Sequence, residues 1–188
     1  MRLQRTRRHA AFARHVGLTG LVALMLSMSA PAPAAPNRVE IGPRLVTSGQ
    51  PDAAELDGLA ANGFGAVIYL APPTVPDAVH DEALRVGRQG LVFVNLPIRF
   101  DAPTGEDRRA FSAILSAVSA SVAPRKVLVH CQINLRASTM TFLHRVVEEH
   151  ADPRAAWAAV SRVWTPDGPW RALVDDELRR AKIAFDPF

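Results

Sequence analysis

Short apolar runs alternate with stretches of helical period through most of the chain. Residues 66–70, 91–94 and 126–130 are the runs, and each is predicted to be a strand. In the last, Val127, Leu128 and Val129 follow one another without a polar break, the pattern of a strand covered on both faces. A shorter stretch, 44–47, precedes them. Between the runs lie helical patterns with start and stop signals. Asp52 with Glu55 opens one that carries Leu56, Leu59 and Ala60 and closes at Asn62-Gly63. Residues 77–89 place Val79, Ala83 and Val86 on one side and stop at Gly90. Thr104 and Asp107 form a capping-box pair ahead of Phe111, Ile114, Leu115, Val118 and Val122, which share one face of a 3.6-residue helix. Three further helices are predicted: from Arg136 with Met140, Leu143 and Val147, from Asp152-Pro153 with Trp157, Val160 and Trp164, and from Trp170 with Val174 and Leu178. Strands and helices in this alternation predict a three-layer α/β fold, a mainly parallel central sheet of about four or five strands flanked by helices.

Charge separates the first 34 residues from the rest. The chain has 22 Lys+Arg against 18 Asp+Glu, a formal net charge of +4. Five of the basic residues (Arg2, Arg5, Arg7, Arg8, Arg14) lie in 1–34 with no acid beside them, which leaves 17 basic against 18 acidic residues. The body is therefore nearly neutral, and its charge gives no reason to expect nucleic-acid binding. The basic start leads into an apolar stretch at 16–28 and then Ala30-Pro31-Ala32-Pro33-Ala34-Ala35, the order of an export signal. The predicted organisation is a cleavable signal over 1–34 and one α/β domain over 35–188. An exported protein of this kind is periplasmic or secreted, without stable membrane association once the signal is removed.

Cys131 is the one cysteine, so a disulfide framework is excluded and a free thiol needs a reason. It sits where the strand at 126–130 gives way to a helix. In open α/β sheets ligands bind at the carboxyl ends of strands, and a helix start offers unpaired N–H groups and a positive dipole end. A thiol there is expected to be anionic and reactive. Arg136 can present a planar fork of donors to an oxyanion held above that sulfur. Gln132, Ile133, Asn134 and Leu135 would contribute mainly through backbone N–H groups, and Asn134 tolerates the left-handed backbone that a tight loop needs.

The segment His130-Cys131-Gln132-Ile133-Asn134-Leu135-Arg136-Ala137-Ser138 resembles the active-site loop of the cysteine-dependent protein tyrosine and dual-specificity phosphatase superfamily, His-Cys-x5-Arg-Ser/Thr. The stretches Val46-Thr47-Ser48-Gly49-Gln50-Pro51 and Gly63-Phe64-Gly65-Ala66-Val67-Ile68-Tyr69-Leu70 are similar to the opening of small bacterial phosphatase-like domains, including those called β-lactamase-hydrolase-like. The resemblance implies a phosphatase-like fold and a phosphorylated substrate. It also implies that Cys131 attacks phosphorus, that Arg136 and the loop amides hold the equatorial oxygens, and that Asp101 protonates the leaving oxygen, with Asp107 as the competitor. His130 would hold the loop, and Ser138 would supply a supporting hydroxyl. Four residues rather than five separate Cys131 from Arg136, a length shared with rhodanese-like sulfurtransferases. A sulfurtransferase or persulfide-handling enzyme, or a weakly active oxyanion-binding module, therefore stands as the alternative.

No metal ligand and no cofactor is expected. His80-Asp81-Glu82 and Glu148-Glu149-His150 read as solvated helix faces, because neighbouring helical residues point in different directions. Trp164-Thr165-Pro166-Asp167 reads as a turn between helices, and the three tryptophans as core. The sequence specifies neither the physiological substrate nor the oligomeric state.

Overall fold

In a computed structural model the described residues are 35–188; the expected export signal lies outside them. Five strands form one sheet in the order β1-β2-β5-β3-β4. They are β1 (Val39–Gly42), β2 (Leu45–Ser48), β3 (Phe64–Tyr69), β4 (Val92–Asn95) and β5 (Lys126–His130). β2, β5, β3 and β4 run parallel, and β1 turns back antiparallel along β2. β1 is absent from the sequence prediction, since Val39-Glu40-Ile41-Gly42 is short and edge strands need only one buried side.

Each central strand feeds both faces, because successive side chains point opposite ways. From β3 and β5, Ala66, Ile68, Val127 and Val129 enter one apolar cluster, whereas Val67 and Leu128 enter the other. The larger cluster is covered by α3 (Gly105–Val122), α4 (Leu135–Val147), α5 (Pro153–Ser161) and α6 (Gly168–Arg180). The smaller is covered by α1 (Ala53–Asp57) and α2 (Glu82–Arg88), through Leu56 and Val86. Fully burying a side chain such as Leu128 or Leu56 stabilises the fold by roughly 1.5–3 kcal/mol. The predicted three-layer α/β architecture is the one observed.

The helix boundaries follow their caps. Asp52 accepts from the Glu55 amide and opens α1. Thr104 and Asp107 complete the capping box of α3, and Phe111, Leu115, Val118 and Val122 are its buried face. α2 departs from the prediction: it starts at Glu82 rather than at Asp77. The carboxylate of Asp77 accepts from Gln132 Nε2 at 2.9 Å instead of capping a helix amide, so the chain from 77 to 81 stays in turns. The face of α2 is also rotated relative to the expectation. Glu82 and Val86 are buried, whereas Ala83 is exposed.

Candidate functional site

β5 ends at His130, Cys131 follows, and α4 begins at Leu135, so the loop 131–134 lies at the carboxyl edge of the parallel strands. Asn134 turns the chain into the helix with a left-handed backbone, φ 73°. Its side-chain amide donates to the Asn37 carbonyl and to Thr47 Oγ1, which fixes that turn. The loop is packed so closely that a side chain at Gly49 would have its Cβ 2.7 Å from the Gln132 carbonyl oxygen; only glycine fits there. Residues 36 and 37 bind on the other side. The Gly49 amide donates to the Pro36 carbonyl at 2.6 Å, and Asn37 Nδ2 donates to the Ile133 carbonyl at 2.9 Å.

Cys131 is fully buried in the floor of a cavity of about 250 Å³. Arg136 lines the same cavity, with Phe100, Ile133, Leu135 and Asp77 around the rim. Thiol and guanidinium thus line one cavity. Arg136 is itself only 6% exposed. Its Nε donates to the Ile98 carbonyl at 2.9 Å, its Nη1 approaches Gln132 Oε1 at 3.3 Å, and its Cζ lies 5.1 Å from the centre of the Phe100 ring. Such bracing sets the fork before any ligand arrives and limits the side-chain entropy lost on binding.

The carboxyl groups are distributed unlike the expectation. Asp101 does not line the cavity: it forms a two-pronged pair with Arg99, at 3.1 and 2.7 Å, with both side chains open to solvent. The hydrogen bond from Arg99 holds its carboxyl below the usual carboxylate range. Asp107 is committed to the α3 cap, where its Oδ2 accepts from both the amide and the hydroxyl of Thr104. The carboxylate on the cavity wall is Asp77, which sequence spacing did not single out.

Ser138 is buried beside the loop, but its hydroxyl donates to the Leu135 carbonyl at 3.2 Å. One O–H makes one such bond, so in this arrangement it is not offered to the sulfur. His130 is fully buried with Nε2 2.6 Å from Glu82 Oε1, and its ring stacks on Tyr69 at 4.6 Å. Burial, followed by the nearby Glu82 charge, pushes the Tyr69 phenol above its ordinary value, so the stacking partner is a neutral ring. Glu82 thus corrects the reading of His80-Asp81-Glu82 as a solvated face: at 3% exposure it is inside the protein. The cause is local, since the late start of α2 turns Glu82 inward onto β5 and leaves Asp81 outside.

Trp170 belongs to the core, as expected, while Trp157 and Trp164 pack half-buried against it. Trp170 also reaches the site, because its Nε1 donates to the Phe100 carbonyl at 2.8 Å. Residues 164–167 connect α5 to α6 as irregular chain rather than as the predicted turn, with Asp167 just before α6. Among the described residues no group of three or more His, Cys, Asp or Glu is placed to hold a metal ion, and no helix is long and apolar enough to cross a membrane.

No family model matches the chain. A β-lactamase hydrolase-like protein of Xylella fastidiosa (strain Temecula1 / ATCC 700964) is 31% identical over 114 residues, 58% of this chain and 25% of that protein. Its counterpart in strain 9a5c matches to the same extent, so the chain spans about a quarter of the length of the curated relatives it matches. Among solved structures, a conjectured phosphatase of the DUF442 group from Shewanella putrefaciens CN-32 superposes with a TM-score of 0.69 at 26% identity, covering 78% of this chain and 92% of that one. Tk-PTP in its active form gives 0.62 at 22% identity, over 77% and 98% of the two chains. Sheet order, the strand-to-helix loop and these likenesses give the chain a phosphatase-like α/β fold, similar to that of the cysteine-dependent phosphatases.

Proposed function

We propose that the chain is an exported hydrolase of phosphomonoesters that works through a cysteinyl-phosphate. The observation that carries this reading is the pairing of Cys131 and Arg136 in one cavity at the start of α4. The Cys131 thiolate attacks phosphorus, an S–P bond forms, and the P–O bond to the alcohol or phenol breaks. A carboxylic acid gives its proton to the departing oxygen. Water then attacks phosphorus, the S–P bond breaks, inorganic phosphate leaves and the thiolate is restored. Arg136 and the unpaired amides of the first turn of α4 meet the charge on the equatorial oxygens. Positioning and charge complementarity suffice for this chemistry, so no cofactor is invoked.

Proton delivery is assigned to Asp101, which reaches the cavity when the loop carrying Phe100 closes and the pair with Arg99 opens. Asp77 is the acid available if the loop stays where it is. Export is proposed from the leader at 1–34, which supplies the localisation, periplasmic or secreted.

The test is a paired assay on the purified full chain: release of aryl alcohol from an aryl phosphate, and transfer of sulfur from thiosulfate to cyanide. Hydrolysis that disappears in Cys131→Ser, with no sulfur transfer, supports the reading. Cys131-dependent sulfur transfer without hydrolysis overturns it in favour of the persulfide chemistry that the four-residue spacing between Cys131 and Arg136 also allows. Neither activity, with phosphate still bound, leaves an oxyanion-binding module.

A further inference from the structure

We propose that the Ala34–Ala35 bond is the processing site of the chain and that Glu55 is the receptor for the ammonium group that cleavage there creates. The inference rests on the reading of 1–34 as an export leader and goes beyond it: it names the bond that is cut and the side chain that captures the new chain end.

Two observations of different kinds meet at one residue. Ala32 and Ala34 are the small residues of an A-x-A cleavage pattern, which places the cut after Ala34. In the fold, Ala35 is 6% exposed, and its backbone nitrogen donates to Glu55 Oε2 at 2.9 Å. Hydrolysis adds water across the Ala34–Ala35 bond, leaves a carboxylate on Ala34 and frees the nitrogen of Ala35. A neutral amide with one hydrogen thereby becomes an ammonium with three, and its bond to Glu55 becomes charge-assisted at both ends.

The surroundings of Glu55 suit that charge. Its side chain is 15% exposed, and its Oε1 is occupied by Arg38 Nη1 at 2.8 Å, which leaves Oε2 to Ala35. Arg38 is shared with Glu40 at 3.2 Å. Asp52 is turned to the cap of α1, where it accepts from the Glu55 amide at 2.7 Å. Arg38, Glu40 and Glu55 set two carboxylates against one guanidinium, and an ammonium at Ala35 makes this group neutral. Arg38 opposes the ammonium and the two glutamates favour it, Glu55 by direct contact. The captured end is followed at once by the residues that brace the Cys131 loop, for the Pro36 carbonyl accepts from Gly49 and Asn37 bonds Ile133 and Asn134.

The experiment begins with the chain produced with its leader in an exporting bacterium and recovered from outside the cytoplasm. Ala35 is the expected first residue on N-terminal sequencing. Acylation of its α-amine by acetic anhydride is then followed from pH 6 to 10 on the N-terminal peptide. The expected midpoint lies about one pH unit above the ordinary α-amino range of about 7.7–8.0, and it returns to that range in Glu55→Gln. A raised value means that the stabilisation is complete below the ordinary α-amino pKa and is lost as pH rises through the raised one. The melting midpoint of the processed protein should therefore lose roughly 2–4 °C of its advantage over Glu55→Gln between pH 7 and pH 10. The variant also loses the pair with Arg38, but a guanidinium stays charged throughout, so that loss is a constant offset.

A first residue other than Ala35, an α-amine at or below the ordinary range, or melting curves that stay parallel across pH each overturn the proposal. If Glu55→Gln does not fold, the acylation midpoint of the processed wild-type chain decides alone. Any of these results in an exported, processed protein leaves the export reading standing, whereas a chain that keeps its leader removes both.

Discussion

Arg136 is braced from behind by Ile98, whose carbonyl accepts the guanidinium Nε–H at 2.9 Å. That bond uses the Nε–H and leaves the two terminal nitrogens to be shared between Gln132 and a ligand. A lysine would keep the charge but could make neither the brace nor the fork. Arg136→Lys is therefore expected to reduce the rate of aryl phosphate hydrolysis about 10²–10³-fold, the range for losing one oxyanion donor. Steady-state kinetics on the folded variant check this; a fall of less than threefold would mean that charge alone is enough.

The assignment of the acid is decided by two variants read together. Loss of a general acid costs about 10²–10⁴-fold, so Asp101→Asn should fall in that range and Asp77→Asn should not. The reverse pattern moves the role to Asp77.

Arg99 gives the same question a pH dependence. A general acid must be protonated, and the bond from Arg99 holds the Asp101 carboxyl below its usual range, which places the alkaline limb of the rate profile low. Removing the donor in Arg99→Ala raises the carboxyl toward its ordinary value, so that limb moves to higher pH. The pair is closed in the free protein, so the kcat/KM profile reads it, and a kcat/KM limb that stays in place under Arg99→Ala argues against Asp101 as the proton source.

Trp170 ties the loop over the cavity to α6 through its bond to the Phe100 carbonyl. Trp170→Phe keeps most of the buried ring and removes the donor, so the expected result is a stability loss of about 1–3 kcal/mol from the orphaned carbonyl. KM for an aryl phosphate should rise several-fold, because Phe100 is no longer fixed against the rim. Thermal melts and a kcat and KM determination on one preparation test both parts.

The ion network on the far side of α3 serves as the contrasting case. Arg108, 6% exposed, donates its Nε to Glu177 Oε2 at 2.8 Å and pairs through Nη1 with Glu148, joining α3, α6 and the end of α4. Glu177→Ala leaves a buried guanidinium short of a partner, a loss of about 3–5 kcal/mol. The melting midpoint should drop by at least ~6 °C for a domain of this size, while kcat per folded molecule is unchanged. A large loss of kcat in the folded variant would tie this network to the chemistry.

The parts of the site that depend on contiguous sequence were legible, and those that depend on late turns were not. The order of strand, Cys131, Asn134 and Arg136 is local: an apolar run, a residue tolerant of positive φ and a helix start are adjacent in the chain, and the structure puts them where that order predicts. The core face of α3 follows from simple periodicity, as Phe111 shows, whereas α4 is buried on every side from Arg136 to His144 and its periodicity marks only part of what it buries. Glu82 was misread because its direction depends on where α2 begins, and Asp77, expected to open that helix, instead accepts from Gln132, 55 residues away in the chain. The distance in sequence between Asp101 and Cys131 identifies a loop but not which way a surface carboxylate turns, and Arg99 two residues earlier takes it. Ser138 illustrates the same limit within a helix, where an accessible backbone carbonyl captures the hydroxyl.

Residues 36 and 37 are stitched to Gly49, Ile133 and Asn134 by three hydrogen bonds, so the stretch of chain entering the fold doubles as a buttress for the loop that carries the thiol. Trimming or fusing close to this stretch is consequently a manipulation of the candidate site: a shortened protein beginning beyond Asn37 is expected to keep its helices and sheet yet present a slackened loop, and an inert preparation of that kind would say nothing about the full chain.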